Sequence, residues 1–276
     1  MKLAFSTNAF KKYSLEESIH TIADLGYNGV EILCDLPHAY PPTLSERRIK
    51  LIKNLIDNVQ ISVSNLNAFT LYALGDLYHP SWIETEHEKR YLRINHTKNC
   101  IKLAKALGAK NISTEPGGPG PFGTGQRKRL LQIFINALDV ILPVAKKERI
   151  KILIEPEPNL LIENSKQFLD LMQDIDSRYV KLNFDVGHFF CVGEDLSKTI
   201  YKLVDYIEHF HIEDISQDRV HKHLQLGEGV IDFKSVFRTI HDIGFDGYVT
   251  VELYPYQDCP EYVARKSLDY LVHLAP

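Results

Sequence analysis

The sequence predicts an α/β fold, a (β/α)₈ barrel, and three observations carry that prediction. Strand-like and helix-like segments alternate eight times along the chain, which implies a parallel sheet. The 276 residues match the roughly 250 that one closed barrel of this kind needs. Four consecutive strand-like runs late in the chain each deliver a carboxylate or an imidazole at the C-terminal end, and a barrel gathers those ends on one face. No composition shift or linker interrupts the pattern, so residues 1–276 read as a single domain.

Leu3 to Ser6 is a short strand. A helix follows from Ser14, where Glu17 three residues on completes a capping box, and it runs to Leu25 before Gly26. Gly29 to Leu33, reading GVEIL, is the second strand. Thr43 to Asn58 is helical, with Leu44, Ile49, Ile52, Leu55 and Ile56 at helical spacing. Ile61 to Leu66 is the third strand. Residues 68–84, AFTLYALGDLYHPSWIE, form a long connection bearing Phe69, Tyr72, Tyr78 and Trp82. A loop longer than ~12–15 residues in a compact domain usually serves as a lid or binding loop, so these rings, Trp82 among them, are expected over bound substrate.

The longest helix, Glu86 to Leu107, stops at Gly108, and Asn111 to Glu115 is the fourth strand. Residues 116–125, PGGPGPFGTG, lack the Lys-Ser/Thr ending of a P-loop and read as a flexible loop at the barrel mouth. Helix Gln126 to Lys147, strand Lys151 to Glu155, helix Ser165 to Ile175 and strand Val180 to Asp185 follow. Helix Leu196 to Tyr206 and strand Ile207 to His211 come next. Helix Asp232 to Ile243 stops at Gly244. Strand Tyr248 to Glu252 and helix Pro260 to Leu274 complete the order.

The net charge of −4 implies no basic face, which argues against a nucleic-acid partner. No run approaches ~18 apolar residues and the N-terminus lacks a signal-like stretch, so a cytoplasmic protein with no membrane partner is expected. Cys34, Cys100, Cys191 and Cys259 are too dispersed for a zinc ribbon or disulfide scaffold and read as buried, reduced thiols.

The fifth strand ends in Glu155, the sixth in Asp185, the seventh in His211, and the eighth offers Glu252. Three carboxylates crowded together raise one another's pKa, and a divalent cation removes the conflict. Oxygen-rich ligation with one imidazole suits Mn²⁺ or Mg²⁺ and admits Co²⁺ or Zn²⁺. Glu157, Glu213 and Asp214 are rivals in the same loops. Glu31 and Glu115 end earlier strands and read equally as substrate contacts or structural groups. Gly187 breaks the strand after Asp185, placing His188 on the adjoining turn. Against the functional reading, Asp185 is simply a cap and His188 local packing. His223, in HKH, reads equally as a surface residue or a substrate contact.

FDVGH at 184–188, HFHIED at 209–214, LGEGVIDF at 226–233 and YVTVEL at 248–253 resemble the xylose isomerase-like TIM-barrel family of sugar isomerases and epimerases. The loop ending GDLYHPSWIE and the stretch KALGAKNI extend the likeness over essentially the whole chain. In the ketose 3-epimerase branch the two metal-bound glutamates also transfer protons. The resemblance implies that Glu155 and Glu252 do both here, with Asp185 and His211 completing the metal site. It also implies that His188 contacts substrate oxygens. An arginine beyond the metal histidine contacts substrate in that branch; Arg219 is the nearest candidate, though its spacing differs.

The expected function is therefore metal-dependent isomerisation or epimerisation of a small sugar or sugar derivative through an enediolate. The partner is a small sugar-like molecule, and a homo-oligomer is left open. Related readings are an inosose dehydratase-like lyase, a hydroxypyruvate isomerase-like enzyme and a non-catalytic sugar-binding barrel. An endonuclease IV-like hydrolase would need three zinc ions and further histidine ligands. His38 and His79 sit too deep in loops to complete that set, although His188, His221 and His223 resemble part of it.

Overall fold

The computed structural model describes residues 1–120 and 122–274. Pro121, in the glycine-rich loop, and Ala275 and Pro276, at the end of the chain read as one domain, lie outside the described residues. Eight strands close into a barrel in chain order: β1 (Lys2–Ser6), β2 (Gly29–Leu33), β3 (Ser62–Asn67), β4 (Asn111–Thr114), β5 (Lys151–Ile154), β6 (Val180–Asp185), β7 (Ile207–Ile212) and β8 (Tyr248–Val251). Every neighbouring pair is parallel, including the closing pair of β1 with β8.

The outer layer contains α1 (Leu15–Asp24), α2 (Glu46–Asn58), α3 (His87–Leu107), α4 (Thr124–Glu148) and α5 (Ser165–Gln173). It continues with α6 (Val186–Cys191), α7 (Leu196–Leu203), α8 (Phe233–Asp242) and α9 (Pro260–Val272). Their starts are marked by side-chain caps that satisfy otherwise unpaired amides. Ser14 and Glu17 form the anticipated capping box, and Ser45, Asn164, Asp195 and Asp232 each accept from the amide three residues on. α3 ends at Gly108 with φ 85°, a left-handed conformation that glycine adopts without a Cβ penalty.

Three expectations need correction. α2 begins at Glu46 rather than Thr43, because residues Pro41–Thr43 form a separate 3₁₀ turn and the α-helix has its own cap in Ser45. Gly187 and His188 are not on a strand-ending turn but inside α6, where the Asp185 carboxylate caps the His188 amide. Gly187 is needed there, since a Cβ would lie 1.7 Å from Glu213 Oε1. The cysteines differ too: Cys34 and Cys100 are buried, but Cys191 is half-buried and Cys259 exposed, and all four are free.

The connection from β3 to α3 is anchored from below. Arg93, fully buried in α3, donates from Nε to Pro80 O (2.8 Å) and from one terminal nitrogen to Ala68 O (3.1 Å) and Phe69 O (2.8 Å). Glu115, also fully buried, accepts from the Trp82 amide at 2.9 Å. No helix among the described residues is long and apolar enough to cross a membrane.

Candidate active site

The backbone ladder carries two glutamates just past their strands. Glu155 N donates to Thr114 O at 3.2 Å and Glu252 N to Ile212 O at 3.1 Å, so both continue the pairing by one bond. Asp185 is the last residue of β6 and stands opposite His211 of β7 in the register. The four side chains converge: one donor atom from each of Glu155, Asp185, His211 and Glu252 lies within 4.8 Å of the others. His211 Nδ1 is 3.0 Å from Glu155 Oε1, 3.9 Å from Asp185 Oδ2 and 3.7 Å from Glu252 Oε2.

The acceptors at this centre are unevenly satisfied. Asn8 Nδ2 (2.8 Å) and Asn67 Nδ2 (3.0 Å) both donate to Glu252 Oε1, which leaves Oε2 facing the cluster. Glu155 Oε2 and Asp185 Oδ2 are buried with no hydrogen-bond partner among the described residues. Buried oxygens normally find one. Two orphaned carboxylate oxygens beside an imidazole nitrogen are a donor set that fits a divalent cation. The electrostatics point the same way. Burial, reinforced by neighbouring carboxylates, raises Asp185 and Glu252 well above the usual carboxylate range. Burial alone would lower His211, but Glu31, Glu155 and Glu252 raise it well above the ordinary imidazole value.

Above the centre opens a cavity of about 210 Å³. Its lining includes Glu155 and Glu252 but neither Asp185 nor His211, which lie beneath. His188 and His223 also line it, with His221 and Glu157. His188 Nδ1 donates to Pro156 O (3.0 Å) and His223 Nδ1 to Glu252 O (2.8 Å), so each ring is held by a backbone carbonyl. Burial lowers all three imidazoles, His221 to about 4 and His223 to about 3, and they stay neutral. The three also form a group close enough to share a ligand. Glu157 is pushed up to about 8 by burial, although the Tyr78 hydroxyl donates to it at 2.6 Å.

Two anticipated substrate contacts are not brought to the cavity. Trp82 is fully buried at the loop's base, its Nε1 donating to Thr114 Oγ1 at 2.9 Å and its ring packed edge-on against Phe134. An indole pairs its N–H when buried, and here the partner is the barrel wall. The other named aromatic residues of the loop, Phe69, Tyr72 and Tyr78, do line the cavity. Arg219 is exposed, sits at φ 58° in the turn after β7, and lays its guanidinium over Phe190 at 4.7 Å. His38 and His79 make their hydrogen bonds elsewhere, to Thr7 and to Glu84.

Asn8 and Lys11 were not anticipated; both line the cavity from the segment after β1, where no motif marks them. Glu31 was anticipated only as an ambiguous carboxylate. It proves fully buried against His211 Nε2 at 2.7 Å.

A sequence model described as xylose isomerase-like TIM barrel matches residues 19–274. Fructoselysine 3-epimerase of Shigella flexneri is 27% identical over 281 residues, covering all of this chain and 99% of the relative. An inosose dehydratase of Clostridium perfringens is 28% identical, covering 88% of this chain and 83% of the relative. A crystal structure of the IOLI protein, described with a bound zinc atom, superposes with TM-score 0.82 at 18% identity, covering 99% of this chain and 98% of that one.

Proposed function

The chain belongs to the xylose isomerase-like TIM barrel family, and from that premise we propose that it is a metal-dependent isomerase or epimerase of a small sugar or sugar derivative. One observation carries the reading. Of the four convergent residues, the two glutamates face the cavity while Asp185 and His211 lie beneath it. A site that only held a cation would not need to present two of its carboxylates to a bound molecule.

In this reading Glu155, Asp185, His211 and Glu252 hold one divalent ion. The oxygen-rich set favours Mn²⁺ or Mg²⁺ and is compatible with Co²⁺ or Zn²⁺. When bound, the ion supplies Lewis acidity that polarises a substrate carbonyl and acidifies the neighbouring C–H. One glutamate takes that proton as general base. The other returns a proton, to the opposite face for an epimer or to the adjacent carbon for an isomer. Asn8 and Asn67 fix Glu252 Oε1, so that carboxylate meets substrate in one orientation. His188 and His223 have their Nδ1 protons committed to carbonyls, which leaves His188 Nε2 to accept from a substrate hydroxyl, while His223 Nε2 lies 3.3 Å from His221 Nε2. The cavity of about 210 Å³ is smaller than the ~300–1,000 Å³ of drug-sized pockets, which favours a monosaccharide-sized ligand.

The similarity to an inosose dehydratase supports a second reading, in which the same proton removal is followed by loss of a hydroxyl from the adjacent carbon. The test is NMR in D₂O with free and phosphorylated ketoses and with a cyclic polyol ketone. Deuterium at the carbon beside the carbonyl, with sugar retained, supports the isomerase or epimerase. Release of water supports the lyase. Binding without exchange or dehydration would overturn both in favour of a sugar-binding barrel.

A further inference from the structure

Glu31 takes no part in these proton transfers, yet it is a fully buried carboxylate at the centre of the barrel. His211 Nε2 donates to its Oε2 at 2.7 Å. Asn65 Nδ2 donates to the same oxygen at 2.7 Å, and Asn67 Nδ2 to Oε1 at 3.3 Å. With three donors around it the carboxylate acts purely as an acceptor, and the imidazole nitrogen facing it must carry a proton.

The other nitrogen, Nδ1, has a donor beside it. Asn183 presents Nδ2 to His211 Nδ1 at 3.1 Å, and its orientation is set by Oδ1, which accepts from His209 Nδ1 at 2.8 Å. His209 is itself held by Thr250, whose hydroxyl lies 2.8 Å from Nε2. An amide N–H₂ aimed at Nδ1 is met best by a lone pair there. Glu155 Oε1, 3.0 Å from the same nitrogen, competes for it with a proton while no cation is bound. Glu31 thus fixes the proton on Nε2, and Nδ1, the nitrogen that faces Glu155, Asp185 and Glu252, is the one left to offer a lone pair to a cation.

We propose that Glu31 is a positioning residue for the metal: by accepting the Nε2 proton of His211 it fixes that ring and reserves Nδ1 for the ion. This rests on the reading of the four convergent residues as a metal centre. Asn67 extends the arrangement, since the amide nitrogen that donates to Glu31 also donates to Glu252 Oε1, so one side chain orients Glu252 directly and His211 through Glu31. Carboxylates placed behind metal-bound imidazoles raise the ligand's basicity, and losing one typically costs roughly 10–100-fold in metal affinity.

The experiment titrates metal-free wild type and Glu31→Gln with Zn²⁺ against a chromophoric chelator. It also records ¹⁵N–¹H spectra of the zinc-loaded wild type labelled at histidine. The expected result is a roughly 10–100-fold weaker Zn²⁺ affinity in Glu31→Gln, and a His211 ring protonated on Nε2 with Nδ1 shifted by the metal. The spectra need no substitution and decide the matter if the variant does not fold. Zinc on Nε2, or equal affinity in a folded Glu31→Gln, overturns the inference and leaves the metal centre standing. A wild type that binds no Zn²⁺ overturns the metal centre and this inference together.

Discussion

Tyr78 and Glu157 are joined across the cavity mouth, the phenol donating to the carboxyl at 2.6 Å. This bond ties the loop between β3 and α3 to the rim beyond β5. It makes the loop part of the cavity wall, because Phe69, Thr70, Tyr72 and Leu77 line the cavity beside Tyr78.

Tyr78→Phe removes the tie and keeps the ring. A hydrogen bond of this kind contributes about 0.5–1.5 kcal/mol net, so on a confirmed substrate KM should rise up to ~10-fold while kcat changes less. Steady-state kinetics giving an unchanged KM would mean that the loop keeps its place without Tyr78.

Arg93 should matter for folding rather than chemistry. It joins three loop carbonyls and lies 3.9 Å from buried Glu115. Breaking a buried pair by removing one partner costs ~3–5 kcal/mol, so Arg93→Met should be destabilised by that order in urea unfolding. Trp82 is the single tryptophan and packs at the same spot. Its emission should shift to the red in the folded variant. A variant as stable as wild type, with unchanged emission, would show that the loop is anchored otherwise.

The metal-free protein should lose stability as pH rises towards 8. Burial holds Glu157 and Glu213 at about 8, against 4.5 for an ordinary glutamate. Between those values the folded state binds protons that the unfolded chain has released, so the favourable term is complete at low pH and disappears as pH climbs through about 8. His221 and His223, lowered to about 4 and 3 by burial, act oppositely, but their contribution is complete above 6.5. Tm measured in chelator should therefore fall from pH 6.5 to 8, and Glu157→Gln should flatten the slope. A Tm flat or rising over that interval contradicts the assignment.

The barrel was legible because its signals are local and redundant. Alternation of strand and helix, glycine stops and the Ser14–Glu17 box each point the same way, and small boundary shifts at Glu46 or Glu252 leave the topology untouched. The convergence of Glu155, Asp185, His211 and Glu252 was legible for a related reason: strand ends in a parallel barrel share a face whatever the exact register. What lay beyond the sequence was side-chain direction. Trp82 and Phe69 sit in one loop with similar composition around them, yet the first turns under it and the second into the cavity. Asn8, Asn67 and Glu31 act through contacts 185 to 244 residues distant for the pairs with Glu252 and 180 for the pair with His211, and no spacing rule reaches that far.

Metal should be an integral part of the folded protein. Purified protein should carry about one divalent ion per chain by elemental analysis, and a ligand that binds only the folded state at 100 times its Kd adds ~2.7 kcal/mol. His211→Ala should lose most of the ion and most of that thermal shift. Protein that takes up no metal even after incubation with Mn²⁺ would remove the basis of the proposed chemistry.

The most direct measurement of the central claim is deuterium exchange by Glu155→Gln and Glu252→Gln, each offered both epimers of a confirmed substrate in D₂O. Glutamine keeps the shape and one coordinating oxygen but loses the basic carboxylate. General acid–base catalysis contributes ~10²–10⁴-fold, so turnover of each variant should fall by at least that range while metal binding survives in part. In an epimerase one variant should still exchange deuterium into the starting epimer and the other into the product epimer, neither completing inversion. Near wild-type turnover in both variants would contradict the account, since neither glutamate would then move a proton.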